Sequence, residues 1–124
     1  MEKMNVKPAT GKLGVLCVGL GAVTSTFMTG VLMARKGLAK PVGSMTQYDK
    51  MRVGRGENKK YLHYGEIVPL ANLNDIVFGA WDVYPANAYE SAVNAEVLKE
   101  KDINPVKDEL EKIVPMKAAF DHNY

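Results

Sequence analysis

The chain has 124 residues, 47% of them hydrophobic and 24% charged, a composition that supports one domain with a real core and excludes a disordered chain. Formal net charge is +2 but unevenly spread: residues 1–62 hold 11 Lys/Arg against 3 Asp/Glu, and residues 63–124 hold 5 against 11. One cysteine, Cys17, cannot close an intrachain disulfide, and two histidines do not complete a zinc set, so Cys17 reads as a small buried hydrophobe in a reducing, cytoplasmic setting.

Residues 1–11 are polar and read as a flexible lead-in to one domain over residues 12–124. Lys12 to Val18 is apolar nearly throughout, as a central parallel strand covered on both faces should be. Gly19-Leu20-Gly21 then makes a turn. A helix follows from Val23 to Lys36, with apolar residues at Val23, Phe27, Val31, Ala34 and Leu38, cations Arg35 and Lys36 in its last turn, and Gly37 as a cap. The uncharged run Leu13 to Ala34 is also long enough to be read as a membrane span. Four glycines and the hydroxyls of Thr24, Ser25, Thr26 and Thr29 weigh against insertion.

Pro41 to Thr46 is predicted as a second strand. Asp49 to Lys60 is basic and glycine-containing, and reads as a solvated loop. Its lysines, arginines and flanking tyrosines lack any nucleic-acid signature. Gly65 to Leu70 is a short edge element ended by Pro69. The next strand is Ile76 to Trp81, followed by a helix over Pro85 to Lys101 with Ala86, Tyr89, Val93, Val97 and Leu98 on one face. Ile103-Asn104-Pro105 breaks it, and a second helix spans Val106 to Val114, with Val106, Leu110, Ile113 and Val114 inward. The final PMKAAFDHNY has no compact ending of its own. Strands alternating with helices argue an α/β fold with a mostly parallel sheet, about one mononucleotide-binding half of a doubly wound architecture.

The turn carries the chemistry. Gly19 lets the chain leave the strand sharply, and Gly21 lets a pyrophosphate approach the backbone with no Cβ in the way. The amides of Ala22 to Thr24 open the helix and point at that anion. Thr24 stands where the usual fingerprint has its third glycine. The expected ribose-binding acid after the second strand has two candidates. Asp49 lies far downstream beside Lys50 and Arg52; Asp82 ends a buried strand, where open α/β sheets bind ligands. Asp82 also suits a capping role for the helix near Pro85. His63 and His122 lie in polar surroundings and read as surface residues, and no self-contained catalytic set is present.

Three stretches together resemble the inositol-3-phosphate synthase (myo-inositol-1-phosphate synthase) family, prokaryotic type. They are Val18-Gly19-Leu20-Gly21-Ala22-Val23-Thr24-Ser25-Thr26; Gly43-Ser44-Met45-Thr46-Gln47 with Arg52-Val53-Gly54 after it; and Asn74-Asp75-Ile76-Val77-Phe78-Gly79-Ala80-Trp81-Asp82-Val83. Val114-Pro115-Met116 and Phe120-Asp121 also fall where the family has similar segments. The resemblance implies a Rossmann-like three-layer fold, of which this chain carries the N-terminal part. It implies NAD as cofactor, held by Gly19, Leu20, Gly21, Ala22, Val23 and Asp82, with Asp82 and not Asp49 on the adenosine ribose. It implies the conversion of glucose 6-phosphate to 1D-myo-inositol 3-phosphate, in inositol and phospholipid biosynthesis, by oxidation, enolisation, intramolecular aldol closure and reduction with the same hydride. Ala80 replaces a family glycine. The family's catalytic lysines and substrate-phosphate site belong to later segments, so no catalytic residue is assigned here, and the chain alone is expected not to turn over a sugar phosphate. Expected partners are NAD and a second copy in a homo-oligomer, without nucleic acid or membrane. Two other classes stay open on the residues: a stand-alone nucleotide-sensing module, and a small membrane-anchored protein.

Overall fold

The computed structural model describes residues 6–119. Strand β1 (Leu13–Val18) leads through the glycine turn into helix α1 (Ala22–Arg35). A short helix α2 (Met45–Tyr48) precedes a hairpin of β2 (Lys50–Val53) and β3 (Lys60–His63), and α3 (Tyr64–Ile67) follows. Strand β4 (Ile76–Asp82) returns to the main sheet. Helices α4 (Ala88–Ala95), α5 (Glu100–Ile103) and α6 (Lys107–Glu111) come next, and β5 (Met116–Lys117) is the last strand.

The main sheet has the order β1-β4-β5 and is parallel throughout. Its register runs from Leu13 opposite Ile76 to Val18 opposite Trp81, so the ends of β1 and β4 are level. This is the α/β, Rossmann-like arrangement, carried in part. Helices pack on the face that bears Cys17, Phe78 and Ala80. Met28, Ile103, Val106 and Leu110 are fully buried there, with Leu20, Leu32, Ala88 and Ala92 beside them. On the opposite face Leu16 and Val77 are 61% and 51% exposed, so the described residues build two of the three layers.

Both faces of β1 were expected to be covered, and one is not. The buried side of α1 also differs from its predicted stripe. Val23 is 84% exposed and Phe27 and Leu38 are exposed, while Ser25, Met28, Thr29, Val31 and Leu32 are buried. The two hydroxyls tolerate burial because each turns back on its own helix. Thr29 Oγ1 donates to the Ser25 carbonyl at 2.8 Å and Ser25 Oγ to the Ala22 carbonyl at 3.3 Å. Their small size lets α1 and α4 pack closely, and α4 in turn buries Ala88 and Ala92.

The predicted strand at Pro41 to Thr46 is absent. Ser44 N–H donates to the Pro41 carbonyl at 2.9 Å, closing a turn, and Ser44 then precedes α2. The predicted loop at Asp49 to Lys60 is largely the antiparallel hairpin, with Lys50 opposite His63 and Val53 opposite Lys60. Its side chains are mostly exposed, as the basic composition requires. Gly54, at φ +87°, is irreplaceable in that hairpin, since a Cβ there would stand 2.6 Å from the Asn58 carbonyl oxygen. The segment expected as an edge element at Gly65 to Leu70 begins within helix α3.

The long helix predicted over Pro85 to Lys101 is divided. Asn87 caps α4 through a reciprocal box with Glu90, each side chain accepting the other's N–H at 2.9 Å. Glu96 ends α4 in the left-handed conformation, at φ +54°. Val93, on the side of α4 away from buried Ala88 and Ala92, and Val97, beyond the break, are exposed rather than inward. Farther on, Val106 and Leu110 are buried as predicted, Ile113 packs against the core, and Val114 is exposed. Met116 and Lys117 add to the sheet beside Trp81 and Asp82, which gives the tail an anchored element. The family-like pair Phe120-Asp121, and His122, lie outside the described residues.

Candidate cofactor site

The site lies where β1 and β4 end side by side. Gly19 leaves β1 at φ +99°, a region open to glycine and strained for other residues, and its N–H donates to the Trp81 carbonyl at 2.7 Å. Leu20 turns its side chain into the core, where it is 3% exposed, so the middle residue of the turn anchors it. Gly21 is the N-cap of α1, at φ −96°. No side chain bonds the cap and no acid occupies the first turn, so the opening amides of α1 have no side-chain partner.

Asp82 closes the arrangement from β4. Its Oδ2 accepts the Leu20 N–H at 2.6 Å and its Oδ1 accepts the Tyr84 N–H at 2.9 Å. The Tyr84 amide, then the Leu20 amide, hold its carboxyl below the usual carboxylate range, against a smaller opposing effect of desolvation. Asp82 is thus an anion at neutral pH. It does not cap α4, which Asn87 caps.

An open groove of about 400 Å³ runs past these residues, lined among others by Gly21, Ala22, Asp82, Tyr84, Ser91 and Asn94. Among the described residues, Asp82 carries the only ionised side chain on its wall. A second hollow of about 810 Å³ shares Tyr84, Ala86 and Asn94 with it. A phosphate placed here meets backbone N–H groups rather than lysine or arginine, and a diol meets a carboxylate. That donor set fits a dinucleotide: amides for the pyrophosphate, an acid for ribose hydroxyls. A Cβ on Gly21 would meet no protein atom within 4 Å, so the space beside it is open for a ligand.

Of the residues singled out in the sequence, Leu20, Gly21, Ala22 and Asp82 line this groove. Gly19 shapes the turn from behind, and Val23 contributes its position in the first turn while its side chain faces outward. Asp49 is exposed at the start of the hairpin and takes no part. The stretch around Ser44 and Gln47 lines a different hollow, of about 390 Å³, beside Phe27 and Gly30 of α1. His63 is exposed, with its ring Nδ1 3.3 Å from the Asp49 carbonyl oxygen. Sequence reasoning missed Tyr84, Ser91 and Asn94. Ser91 and Asn94 are three apart on one helix face, a spacing that marks a polar stripe once the start of α4 is known.

A parallel strand pair, a glycine turn into an uncapped helix and an acid at the neighbouring strand end define a dinucleotide-binding domain of the Rossmann type. Residues 13–124 match the family model of the myo-inositol-1-phosphate synthase NAD-binding domain, and the chain belongs to that family. It is 61% identical over 123 residues to inositol-3-phosphate synthase 1 of Bacteroides thetaiotaomicron, covering 98% of this chain and 28% of that protein. It is 33% identical over 128 residues to inositol-3-phosphate synthase isozyme 1 of Arabidopsis thaliana, covering 91% and 24%. The crystal structure of inositol-3-phosphate synthase from Caenorhabditis elegans superposes with a TM-score of 0.76 at 27% identity, covering 93% of this chain and 25% of that one. The chain therefore spans about a quarter of the length of these relatives. Among the described residues no helix is long and apolar enough to cross a membrane, and the uncharged run of the sequence is split between β1 and α1.

Proposed function

We propose that residues 12–124 form the cofactor-holding start of an inositol-3-phosphate synthase, with NAD lying along Gly19, Leu20, Gly21, Ala22 and Val23 and its adenosine ribose against Asp82. The observation that carries this reading is the meeting of the glycine turn with the end of β4, where Asp82 and the open side of Gly21 face one groove. Bound there, NAD would supply hydride-transfer chemistry. The chain's own residues bind and orient it: the first amides of α1 take the anionic bridge, and the carboxylate of Asp82 accepts from ribose hydroxyls. Among the described residues no cation lines the groove to neutralise a further phosphate beside Asp82, which supports NAD over a 2′-phosphorylated form.

In the whole protein the substrate is glucose 6-phosphate and the product 1D-myo-inositol 3-phosphate, an isomerase reaction in the cytoplasm whose catalytic groups lie outside this stretch. The reading includes a homo-oligomer and involves neither nucleic acid nor membrane. The exposed apolar side chains Leu16, Val18 and Val77 on the outer sheet face support association. Calorimetric titration of the chain with NAD up to millimolar concentration tests the cofactor reading. Saturable binding without turnover of glucose 6-phosphate is the expected result. A folded chain that gives no heat with NAD overturns it.

A further inference from the structure

The glycine turn is held from outside its own helix. Gly21 receives no side-chain cap, and the first turn of α1 carries no acid. The holding contacts come from β4: the Trp81 carbonyl takes the Gly19 N–H at 2.7 Å, and Asp82 Oδ2 takes the Leu20 N–H at 2.6 Å, across 62 positions of sequence. The second carboxylate oxygen takes the Tyr84 N–H at 2.9 Å, so Asp82 is itself fixed.

We infer that Asp82 is a positioning residue for the glycine turn, clamping the Leu20 amide so that the turn keeps the shape in which the first amides of α1 face the groove. This rests on the reading of the groove as the NAD site and extends it, because a ribose contact alone gives Asp82 no role toward the phosphates. The two roles are compatible. A carboxylate has about four acceptor positions, and two backbone amides leave room for ribose hydroxyls. Leu20 is the point where the clamp matters most. Its side chain is buried while Gly19 and Gly21 on either side lack a Cβ to restrict the backbone, so the Leu20 amide is the handle by which the turn is fixed.

Two opposite effects separate positioning from simple charge. Asp82 is an anion beside an anion site, so electrostatics alone predicts that removing it tightens binding of a bare phosphate. Positioning predicts that removing it weakens that binding. The probe is inorganic pyrophosphate, which has no ribose, titrated into the chain and into Asp82→Ala and Asp82→Asn. Amide hydrogen exchange at Leu20 is followed by NMR in the same proteins without ligand. Asp82→Ala is expected to speed Leu20 exchange by about tenfold and weaken pyrophosphate binding by a similar factor. Amides in the middle of α1, such as Met28, should be unaffected. Asp82→Asn, which keeps one acceptor oxygen, is expected to restore part of both. Leu20 exchange within about twofold of the unaltered chain, or pyrophosphate binding that is unchanged or tighter, overturns the inference. If Asp82→Ala does not fold, Asp82→Ser, whose hydroxyl is one bond too short for the Leu20 amide, decides by the same two readouts and limits. If the unaltered chain binds neither NAD nor pyrophosphate, the cofactor reading fails, and Leu20 exchange still decides whether Asp82 clamps the turn.

Discussion

The two glycines of the turn are needed for different reasons, and substitutions separate them. Gly19 sits at φ +99°, and a Cβ there would meet nothing within 4 Å, so replacement costs backbone strain alone, about 1–3 kcal/mol. For a chain of this size that is a melting temperature lower by roughly 5 °C per kcal/mol. Gly21 sits at φ −96° with equally open space, so a side chain there is tolerated by the fold. Loss of a good N-cap costs about 1 kcal/mol, and the stiffer unfolded chain returns about half of that. Binding is another matter. The isopropyl group of Gly21→Val stands where an anion must approach the amides. Each charge-assisted hydrogen bond lost is worth about 1.5–3 kcal/mol, or roughly 10- to 150-fold in affinity. Gly21→Val should therefore melt within a few degrees of the unaltered chain and fail to bind NAD. Gly19→Ala should melt well below both. Differential scanning calorimetry and NAD titration on the three proteins check this. Wild-type affinity in Gly21→Val, or melting as low as that of Gly19→Ala, refutes the division of roles.

The core gives a simpler test. Leu110 is fully buried at the centre of the helical layer, so Leu110→Ala should cost about 2–5 kcal/mol in urea denaturation. Arg35 joins the end of α1 to the approach of β4: its Nε donates to the Leu73 carbonyl at 2.6 Å, its other guanidinium nitrogen donates to the Ile76 carbonyl, and it lies 5.6 Å from the Phe78 ring. Lysine cannot reproduce that fork, so Arg35→Lys should lose about 1–3 kcal/mol, and an unchanged denaturation midpoint would show the fork to be idle. Two carboxyls contribute to the acid limb of stability. Backbone amides lower Asp82, and the Lys36 ammonium 2.7 Å away lowers Glu109. Each contributes stability that is complete above the unfolded value near pH 4 and is lost as pH falls through its lower folded value. The double variant Asp82→Asn, Glu109→Gln should make the urea midpoint fall less steeply as pH drops from about 5 to 2.5.

What could be read from the chain followed physical redundancy. β1, the turn, α1 and β4 were legible because strand, glycines and helix agree over a short span. Asp82 was legible by its place at a strand end. The inward side of α1 was not, because Ser25 and Thr29 are polar by type and apolar in effect once each hydroxyl bonds its own helix. The division after α4 was missed because Glu96 adopts a left-handed conformation that glycine or asparagine would have announced. The hairpin of β2 and β3 escaped because the alternation of Lys50-Met51-Arg52-Val53 lasts only four residues, Lys60 to His63 does not alternate, and most of these side chains are exposed. At Pro41 to Thr46 the proline and glycine favoured a turn over the strand, and Ser44 accordingly leads into α2.

The sheet explains why the candidate site is more complete than the fold around it. β1 alternates inward Val15 and Cys17 with outward Leu16 and Val18, and no polar residue marks the outer side for water. On that side Leu16 reaches across to β4, where a Cβ on Gly79 would stand 2.7 Å from its Cδ2. A strand apolar on both faces is the pattern of a sheet with two covers, and the described residues supply one. The glycine turn draws on that one cover alone. Leu20 anchors in the helical layer, α1 and α4 flank the groove, and Asp82 and Trp81 reach the turn along the strand direction. None of these contacts crosses to the outer face. The phosphate-side geometry therefore depends on residues within this quarter of the relatives' length, so a loss of NAD binding on substituting Gly21, or of pyrophosphate binding on substituting Asp82, reports on the turn itself.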